Sequence, residues 1–247
     1  MKAVIMAGGK GTRLRPYTYV LPKPLMPVDR FPVLELVIRQ LAHNGFHHII
    51  LSTGYMSELI KSFCGNGERF GVKIEYSYEP KPLGTAGPLG LLRKKLDSTF
   101  LVINGDILVV VDFADFLKSH RESKALLTMG LKRRSHNIQF GLVELDEQAR
   151  VRSYIEKPTQ EYIVSTGINL MEPEVLDYIN SKEQLDMPDL VNQLIRDGKK
   201  IHGYVNDGLW LHLSRPDDFE SANENWRSIV KELGIERFLD SNSKERT

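Results

Sequence analysis

The residues best suited to chemistry in this chain lie close together near its N-terminus. Ala7-Gly8-Gly9-Lys10-Gly11-Thr12-Arg13-Leu14-Arg15-Pro16 follows a short apolar run over residues 2–6. Three glycines in four residues let the backbone turn tightly and aim N–H groups at an anion. Lys10, Arg13 and Arg15 add positive charge to the same loop. No Gly-Lys-Ser/Thr closes it, and the glycine spacing does not match the dinucleotide-binding fingerprint. An ordinary tight turn with solvated basic side chains is the plain alternative; the density of glycine and charge favours a phosphate cradle. Further on, Leu21-Pro22-Lys23-Pro24-Leu25-Met26-Pro27-Val28 holds a lysine between two prolines. The prolines restrict the backbone and so the reach of the ammonium. A lysine held this way serves as a point charge for phosphate. Alone it reads as an exposed lysine in a rigid loop, but behind the glycine loop it reads as a second phosphate contact.

Those loops need a scaffold, and the apolar pattern supplies one. Residues 2–6 read as a buried strand. Leu34, Val37, Ile38 and Leu41 have helical spacing between Pro32 and Gly45. Strand signals recur at His47–Ser52, Val72–Tyr78 and Phe100–Asn104, with helical stretches at Met56–Phe63 and near Ala86–Leu96. Asp112 suits the N-cap of a helix over Phe113–Ser123. The second half offers strands at Ala125–Leu131, Phe140–Leu145, Val151–Ile155 and Tyr162–Met171. Helices are expected near Glu174–Ile179 and Leu190–Asp197, with a last amphipathic one near Asp217–Leu233. Strands separated by helices imply crossovers and a mostly parallel sheet. In such sheets ligands bind at the C-terminal strand ends, where the glycine loop sits. No linker, repeat or low-complexity block divides the chain. Residues 1–239 are expected to form one catalytic domain and residues 240–247 a polar C-terminal tail.

Composition narrows the function. With 33 Lys+Arg against 32 Asp+Glu over 247 residues, the net charge is +1, which argues against a nucleic-acid binder held by phosphate neutralisation. A single cysteine, Cys64, can form neither an internal disulfide nor a thiolate cluster, and it reads as a small half-buried residue. The seven histidines show no paired zinc spacing. No apolar run reaches membrane-span length, and the N-terminus does not match a signal peptide. A cytoplasmic protein without a membrane or nucleic-acid partner is expected, and a homo-oligomer is allowed.

The run Gly8-Gly9-x-Gly11-Thr12-Arg13-Leu14-x-Pro16 followed by Pro22-Lys23-Pro24 closely resembles the signature of the sugar-1-phosphate nucleotidyltransferases. The resemblance continues over about residues 1–227. Glu79-Pro80-Lys81-Pro82-Leu83-Gly84-Thr85-Ala86-Gly87 looks like the family's base- and sugar-binding loop, and Asn104-Gly105-Asp106 like its metal-binding strand end. Phe140-Gly141-Leu142-Val143-Glu144 and Glu156-Lys157-Pro158 resemble its sugar-phosphate segments. Thr166-Gly167-Ile168 and Trp210-Leu211-His212 complete the series. The stretch Pro82–Gly87 looks most like the mannose-1-phosphate guanylyltransferase branch.

The resemblance implies an α/β, Rossmann-like three-layer fold with a mixed, mostly parallel central sheet. It implies that the phosphate oxygen of a sugar 1-phosphate, mannose- or heptose-like, attacks the α-phosphorus of a nucleoside triphosphate, GTP by branch, and releases pyrophosphate. That oxygen is already ionised at neutral pH, so the lack of a Ser-His-Asp or Cys-His arrangement fits the reaction, which needs positioning and charge neutralisation. By resemblance Arg13 and Lys23 are catalytic; Ala7, Gly8, Gly9, Gly11, Thr12, Gly84 and Thr85 bind nucleotide; Gly141, Glu156, Lys157 and Gly167 bind the sugar phosphate. Asp106, at the end of an apolar run, would bind Mg²⁺, with Mn²⁺ or Co²⁺ as alternatives.

One position departs from the family. His212 stands where its relatives carry Asp as a second metal ligand, and Ser214 replaces a glycine. Imidazole is softer than carboxylate and brings no negative charge, so it suits Mn²⁺, Co²⁺ or Zn²⁺ better than Mg²⁺. Three readings follow: His212 still ligates, Asp106 holds the metal alone with the phosphates, or catalysis is weak. Asp207 is a nearby carboxylate that could compensate. Two other functions stay open, a non-catalytic nucleotide-sugar-binding or regulatory subunit of the same fold, and a nucleotidyltransferase for a phosphorylated non-sugar.

Overall fold

The computed structural model describes residues 1–236; the polar tail 240–247 and the last residues of the expected domain lie outside them. The first half is built from β1 (Lys2–Ala7), the short pair β2 (Pro27–Val28) and β3 (Phe31–Pro32), α1 (Val33–His43), β4 (His48–Thr53), α2 (Ser57–Cys64), β5 (Lys73–Tyr78), β6 (Phe100–Asn104), β7 (Ile107–Val109) and α3 (Phe113–Ser123). The second half contains β8 (Leu127–Asn137), β9 (Leu142–Leu145), β10 (Val151–Ile155), β11 (Thr159–Met171), α4 (Met187–Arg196), β12 (Ile201–Val205), β13 (Trp210–His212), α5 (Pro216–Glu224) and α6 (Trp226–Leu233).

A seven-stranded sheet in the order β12-β8-β11-β6-β1-β4-β5 runs through the molecule. All neighbouring strands are parallel except at β11, which runs against both β6 and β8. The expected mixed, mostly parallel sheet is what forms. β1 shows why. Ala3, Ile5 and Ala7 feed the core beneath α1, while Val4 feeds a second core on the opposite face with Leu89, Leu176, Leu190 and Leu194. A strand buried on both faces must be apolar throughout, and the two cores make three layers.

Several elements differ from the sequence reading. The stretches expected as helices near Ala86–Leu96 and Glu174–Ile179 are 3-10 turns at Gly87–Leu92 and Pro173–Tyr178. Pro88, Gly87 and Gly90 in the first, and Pro173 at the start of the second, disfavour a regular helix. The last helix is two, broken at Asn225, whose side-chain Nδ2 donates to the Ser221 carbonyl at 2.8 Å. Five short strands, β2, β3, β7, β12 and β13, form where the sequence pattern predicts none. The N-cap at Asp112 forms as read: its carboxylate accepts the N–H groups of Ala114 and Asp115, both at 2.9 Å.

β8 and β11 continue beyond the sheet as an arm that carries the hairpin β9–β10. Every residue of β9 is exposed, as are four of five in β10. Among the described residues no helix is long and apolar enough to cross a membrane.

Candidate functional site

Because β1, β4, β5 and β6 are parallel, their C-terminal ends deliver Gly8, Gly54, Glu79 and Asp106 to one edge of the sheet. A cleft of about 550 Å³ opens there, lined by Ala7, Gly8, Gly9, Lys10, Lys23, Gly54, Glu79, Lys81, Gly84, Thr85, Asn104 and Asp106, among others. A second cleft of about 410 Å³ adjoins it and includes Thr166, Gly167, Asn169, Met187, Asn192, Trp210 and His212. Thr85 and Asn104 line both.

The glycines have distinct steric reasons. A Cβ on Gly8 would lie 2.1 Å from Glu79 Oε1, and one on Gly54 2.6 Å from the same atom. Bare backbone at both positions is what lets the Glu79 carboxylate sit in the wall. Gly11, with φ of +61°, passes against the Lys23 and Thr18 side chains. Gly84, at φ +80°, packs on the Leu185 carbonyl, and the next residues are pinned across the cleft: Thr85 N–H and Oγ1 donate to Asp186 Oδ1, and Thr85 Oγ1 accepts Met187 N–H at 2.8 Å. Asp186 escaped the sequence reading because it acts through the backbone of a loop far away in the chain.

Glu79 is 9% exposed, and its Oε2 accepts the Leu83 N–H at 3.0 Å. Burial pushes its carboxyl above the usual range, against the lowering effect of that N–H. Asp106 is the other carboxylate of this cleft. Lys23 Nζ forms an ion pair with Asp106 Oδ2, and His212 Nε2 lies 3.5 Å from the same oxygen. Burial raises the Asp106 carboxyl, but the His212 imidazole and the Lys23 ammonium outweigh it and hold the group below its ordinary value.

His212 reaches Asp106 through a small ribbon. β13 pairs antiparallel with β7, matching His212 to Ile107, and Leu213 N–H donates to the Asp106 carbonyl at 2.9 Å. Oδ2 and Nε2 are close enough for one divalent cation to touch both, with phosphate and water completing its shell. No group of three or more His, Cys, Asp or Glu converges among the described residues, so this two-donor set fits only a cation shared with a ligand. Asp207 does not supply the missing carboxylate. It is exposed and lies 3.5 Å from the Arg133 guanidinium, and it lines neither cleft.

The remaining expected residues divide. Ala7, Gly8, Gly9, Lys23, Gly84, Thr85 and Asp106 line the first cleft, and Gly167 and His212 the second. Gly11, Thr12 and Arg13 line neither, and Arg13 is exposed on a 3-10 turn. Gly141, Glu156 and Lys157 sit on the arm, also away from both clefts. There Tyr154 Oη donates to Glu156 Oε2 at 2.6 Å and packs where a Gly141 side chain would be. Cys64 lies in the core, where burial pushes its thiol up to about 12.

Gly167 permits a direct test of how tightly the junction is built. It has φ of +79°, and a Cβ there would lie 2.6 Å from Asn104 Nδ2. Gly167→Ala is expected to lower stability by about 1–3 kcal/mol through backbone strain and displacement of Asn104. Urea denaturation measures it, and an unchanged midpoint would show that the turn is relaxed.

The nucleotidyl transferase family profile matches residues 2–228. Over 224 residues the chain is 37% identical to a mannose-1-phosphate guanylyltransferase of Mycobacterium tuberculosis, covering 88% of this chain and 62% of that protein. It is 35% identical over 241 residues to a UTP–glucose-1-phosphate uridylyltransferase of Synechocystis sp., covering 90% and 62%. The chain thus spans less than two thirds of the length of these relatives. In three dimensions it is similar to HddC from Yersinia pseudotuberculosis, with a TM-score of 0.73 and 25% identity over 91% of this chain and 99% of that one.

Proposed function

The chain belongs to the nucleotidyl transferase family, and from that premise we propose that it joins GTP to a mannose- or heptose-like sugar 1-phosphate, giving a GDP-sugar and pyrophosphate. The observation that carries this reading is the meeting of two clefts at Thr85 and Asn104, with Asp106, Lys23 and His212 at the junction. Two phosphorylated ligands, one per cleft, would bring their phosphates to that point. The attacking phosphate oxygen needs no base, so the site has to position two anions and neutralise the charge that develops.

On this reading the N–H groups of Gly8 and Gly9 face the triphosphate, and Lys10 and Lys23 offset its charge. Asp106 and His212 would hold the divalent cation, Mg²⁺ with Mn²⁺ or Co²⁺ as alternatives, which when bound supplies further neutralisation of phosphate charge. Support for guanine comes from Glu79. An ionised carboxylate only accepts hydrogen bonds, and guanine offers it two adjacent donors, N1–H and the exocyclic amino group. Uracil offers one donor flanked by carbonyls that a carboxylate repels.

The test is pyrophosphate release over a panel of nucleoside triphosphates and sugar 1-phosphates, with GTP and mannose 1-phosphate or a heptose analogue expected to react fastest. No release from any pair would overturn the reading. His212 favours one alternative, a subunit of this fold that binds a nucleotide sugar without turnover; calorimetric binding without pyrophosphate release would establish it.

Lys23→Ala is expected to lower turnover by about tenfold or more, and Arg13→Ala by about tenfold, with folding little changed. Lys23 already pairs with Asp106, whereas Arg13 must swing in from an exposed turn. Steady-state rates with circular dichroism check both, and wild-type turnover in either variant would remove that residue from the catalytic set.

A further inference from the structure

The second cleft contains a polar group in an unexpected place. Asn169 follows the register irregularity in β11 and pairs with Val102 of β6 on one side and Met129 of β8 on the other. Successive strand residues face opposite sides of a sheet. Ile168 and Leu170 enter the core beneath α1, and Met171 enters the opposite core, which includes Leu190 and Leu194 of α4. Asn169 therefore faces α4, at a position that the alternation reserves for an apolar side chain. It is 3% exposed, its Oδ1 has no hydrogen-bond partner, and it lines the cleft with Met129, Met187 and Val191.

Three other polar residues of this cleft are already engaged within the protein. Thr166 Oγ1 donates to the Gly130 carbonyl at 2.8 Å, and Trp210 Nε1 to the Thr166 carbonyl at 2.9 Å. Thr85 is tied to Asp186 and Met187. The other buried side-chain atom without a partner among the described residues, Gln40 Oε1, belongs to an amide that donates to Val109 and lines neither cleft. An unpaired buried amide oxygen is costly, and a leucine of similar size would avoid that cost.

Resting on the sugar 1-phosphate reading above, we propose that the Asn169 amide reads one hydroxyl of the sugar ring and so sets which sugar 1-phosphate the second cleft accepts. A hydroxyl both donates and accepts, as an amide does, so one group satisfies the other. A charged group would be desolvated against Met129, Met187 and Val191, and among the described residues no lysine or arginine lines this cleft. The phosphate is accommodated instead at the Lys23, Asp106 and His212 junction, which leaves the uncharged part of the ring for Asn169. A site built around a hydrogen bond rejects the analogue lacking that hydroxyl, because the amide oxygen then stays unpaired.

The experiment is calorimetric binding of mannose 1-phosphate and its monodeoxy analogues to wild type, Asn169→Leu and Asn169→Ala, with an unreactive GTP analogue present. Pyrophosphate release and thermal midpoints are followed in parallel. Wild type should bind one deoxy analogue about tenfold or more weakly than the parent. Asn169→Leu should bind parent and analogue alike, near the weaker value, while its ligand-free midpoint is at or above that of wild type. Retention of the wild-type pattern in Asn169→Leu, or an equal loss for every sugar, would overturn the proposal. If Asn169 governs binding but no pair releases pyrophosphate, the inference stands and the enzymatic reading fails. If release proceeds with unchanged sugar preference in Asn169→Leu, the reverse holds, and failure to bind any sugar 1-phosphate overturns both.

Discussion

Asp106→Asn is expected to lower pyrophosphate release by about a hundredfold or more at any Mg²⁺ concentration, with the fold retained. The amide keeps the shape of the carboxylate but removes its charge. Lys23 loses its ion-pair partner and the His212 imidazole loses the oxygen 3.5 Å away. On the proposed reading, a hard cation would lose the one carboxylate at the junction. Stability reports the same change independently. The Asp106 carboxyl is held below its ordinary value in the folded protein, so its contribution is fully present above the unfolded value near 3.9 and fades as pH falls through the lower folded one. Wild type should therefore exceed Asp106→Asn in ligand-free stability at neutral pH by about 1–2 kcal/mol, a partly exposed pair being worth less than a fully buried one. That gap should close in acid. Unfolding midpoints against pH, together with rates against Mg²⁺, provide the measurement. Unchanged rate and unchanged metal dependence would place the metal elsewhere.

Asp106 was readable because a buried strand announces its own end. Phe100–Ile103 is a continuous apolar run, so the carboxylate two residues past Asn104 had to emerge at the sheet edge. The glycine loop was legible for the same reason at the end of β1. The doubly buried parallel strands gave the least ambiguity, since each one needs apolar residues on both faces. Where burial is one-sided or brief, the signal fails. β7 and β13 have three residues each, too few for a period. β12, Ile201-His202-Gly203-Tyr204-Val205, is only half-buried and carries a glycine, so it resembles a loop. That omission mattered at His212, whose approach to Asp106 depends on the β7–β13 ribbon.

Side chains defined by what they lack were hidden altogether. Asn169 carries no sequence signal, because an amide in a strand looks like an interruption until its neighbours Val102 and Met129 are known. The arm gives the opposite lesson. Gly141, Glu156 and Lys157 are legible as a motif, yet none of them lines either of the two clefts at the sheet edge. A motif identifies residue types that suit a ligand, whereas placement also depends on how the supporting hairpin packs. β9 and β10 bury almost nothing, so little in their own sequence fixes that packing.

Glu79→Gln is expected to reverse the nucleotide preference, lowering kcat/KM for GTP by about tenfold to a hundredfold and raising it for UTP. The glutamine can still accept the Leu83 N–H that Glu79 Oε2 now accepts at 3.0 Å, so the loop has the same anchor. What changes is the second polar atom, from an acceptor to a donor. Against guanine, that donor meets the exocyclic amino group and loses a hydrogen bond. Against uracil, an adjacent donor and acceptor match the O4 and N3–H of the base. The pH profile separates this effect from general damage. Burial raises the Glu79 carboxyl, so wild-type activity with GTP should fall on the acid side earlier than an ordinary carboxylate would make it, and the glutamine variant should lack that limb. The sign for stability is opposite to that of Asp106. A carboxyl with a raised folded value contributes stability that is fully present below its unfolded value and is lost as pH rises through the folded one. At neutral pH the buried charge is a cost that glutamine removes, so the variant should unfold at or above the wild-type temperature. Competition of GTP against UTP in one reaction measures the preference directly. A variant as stable as wild type that still favours GTP by the wild-type ratio would show that Glu79 does not read the base.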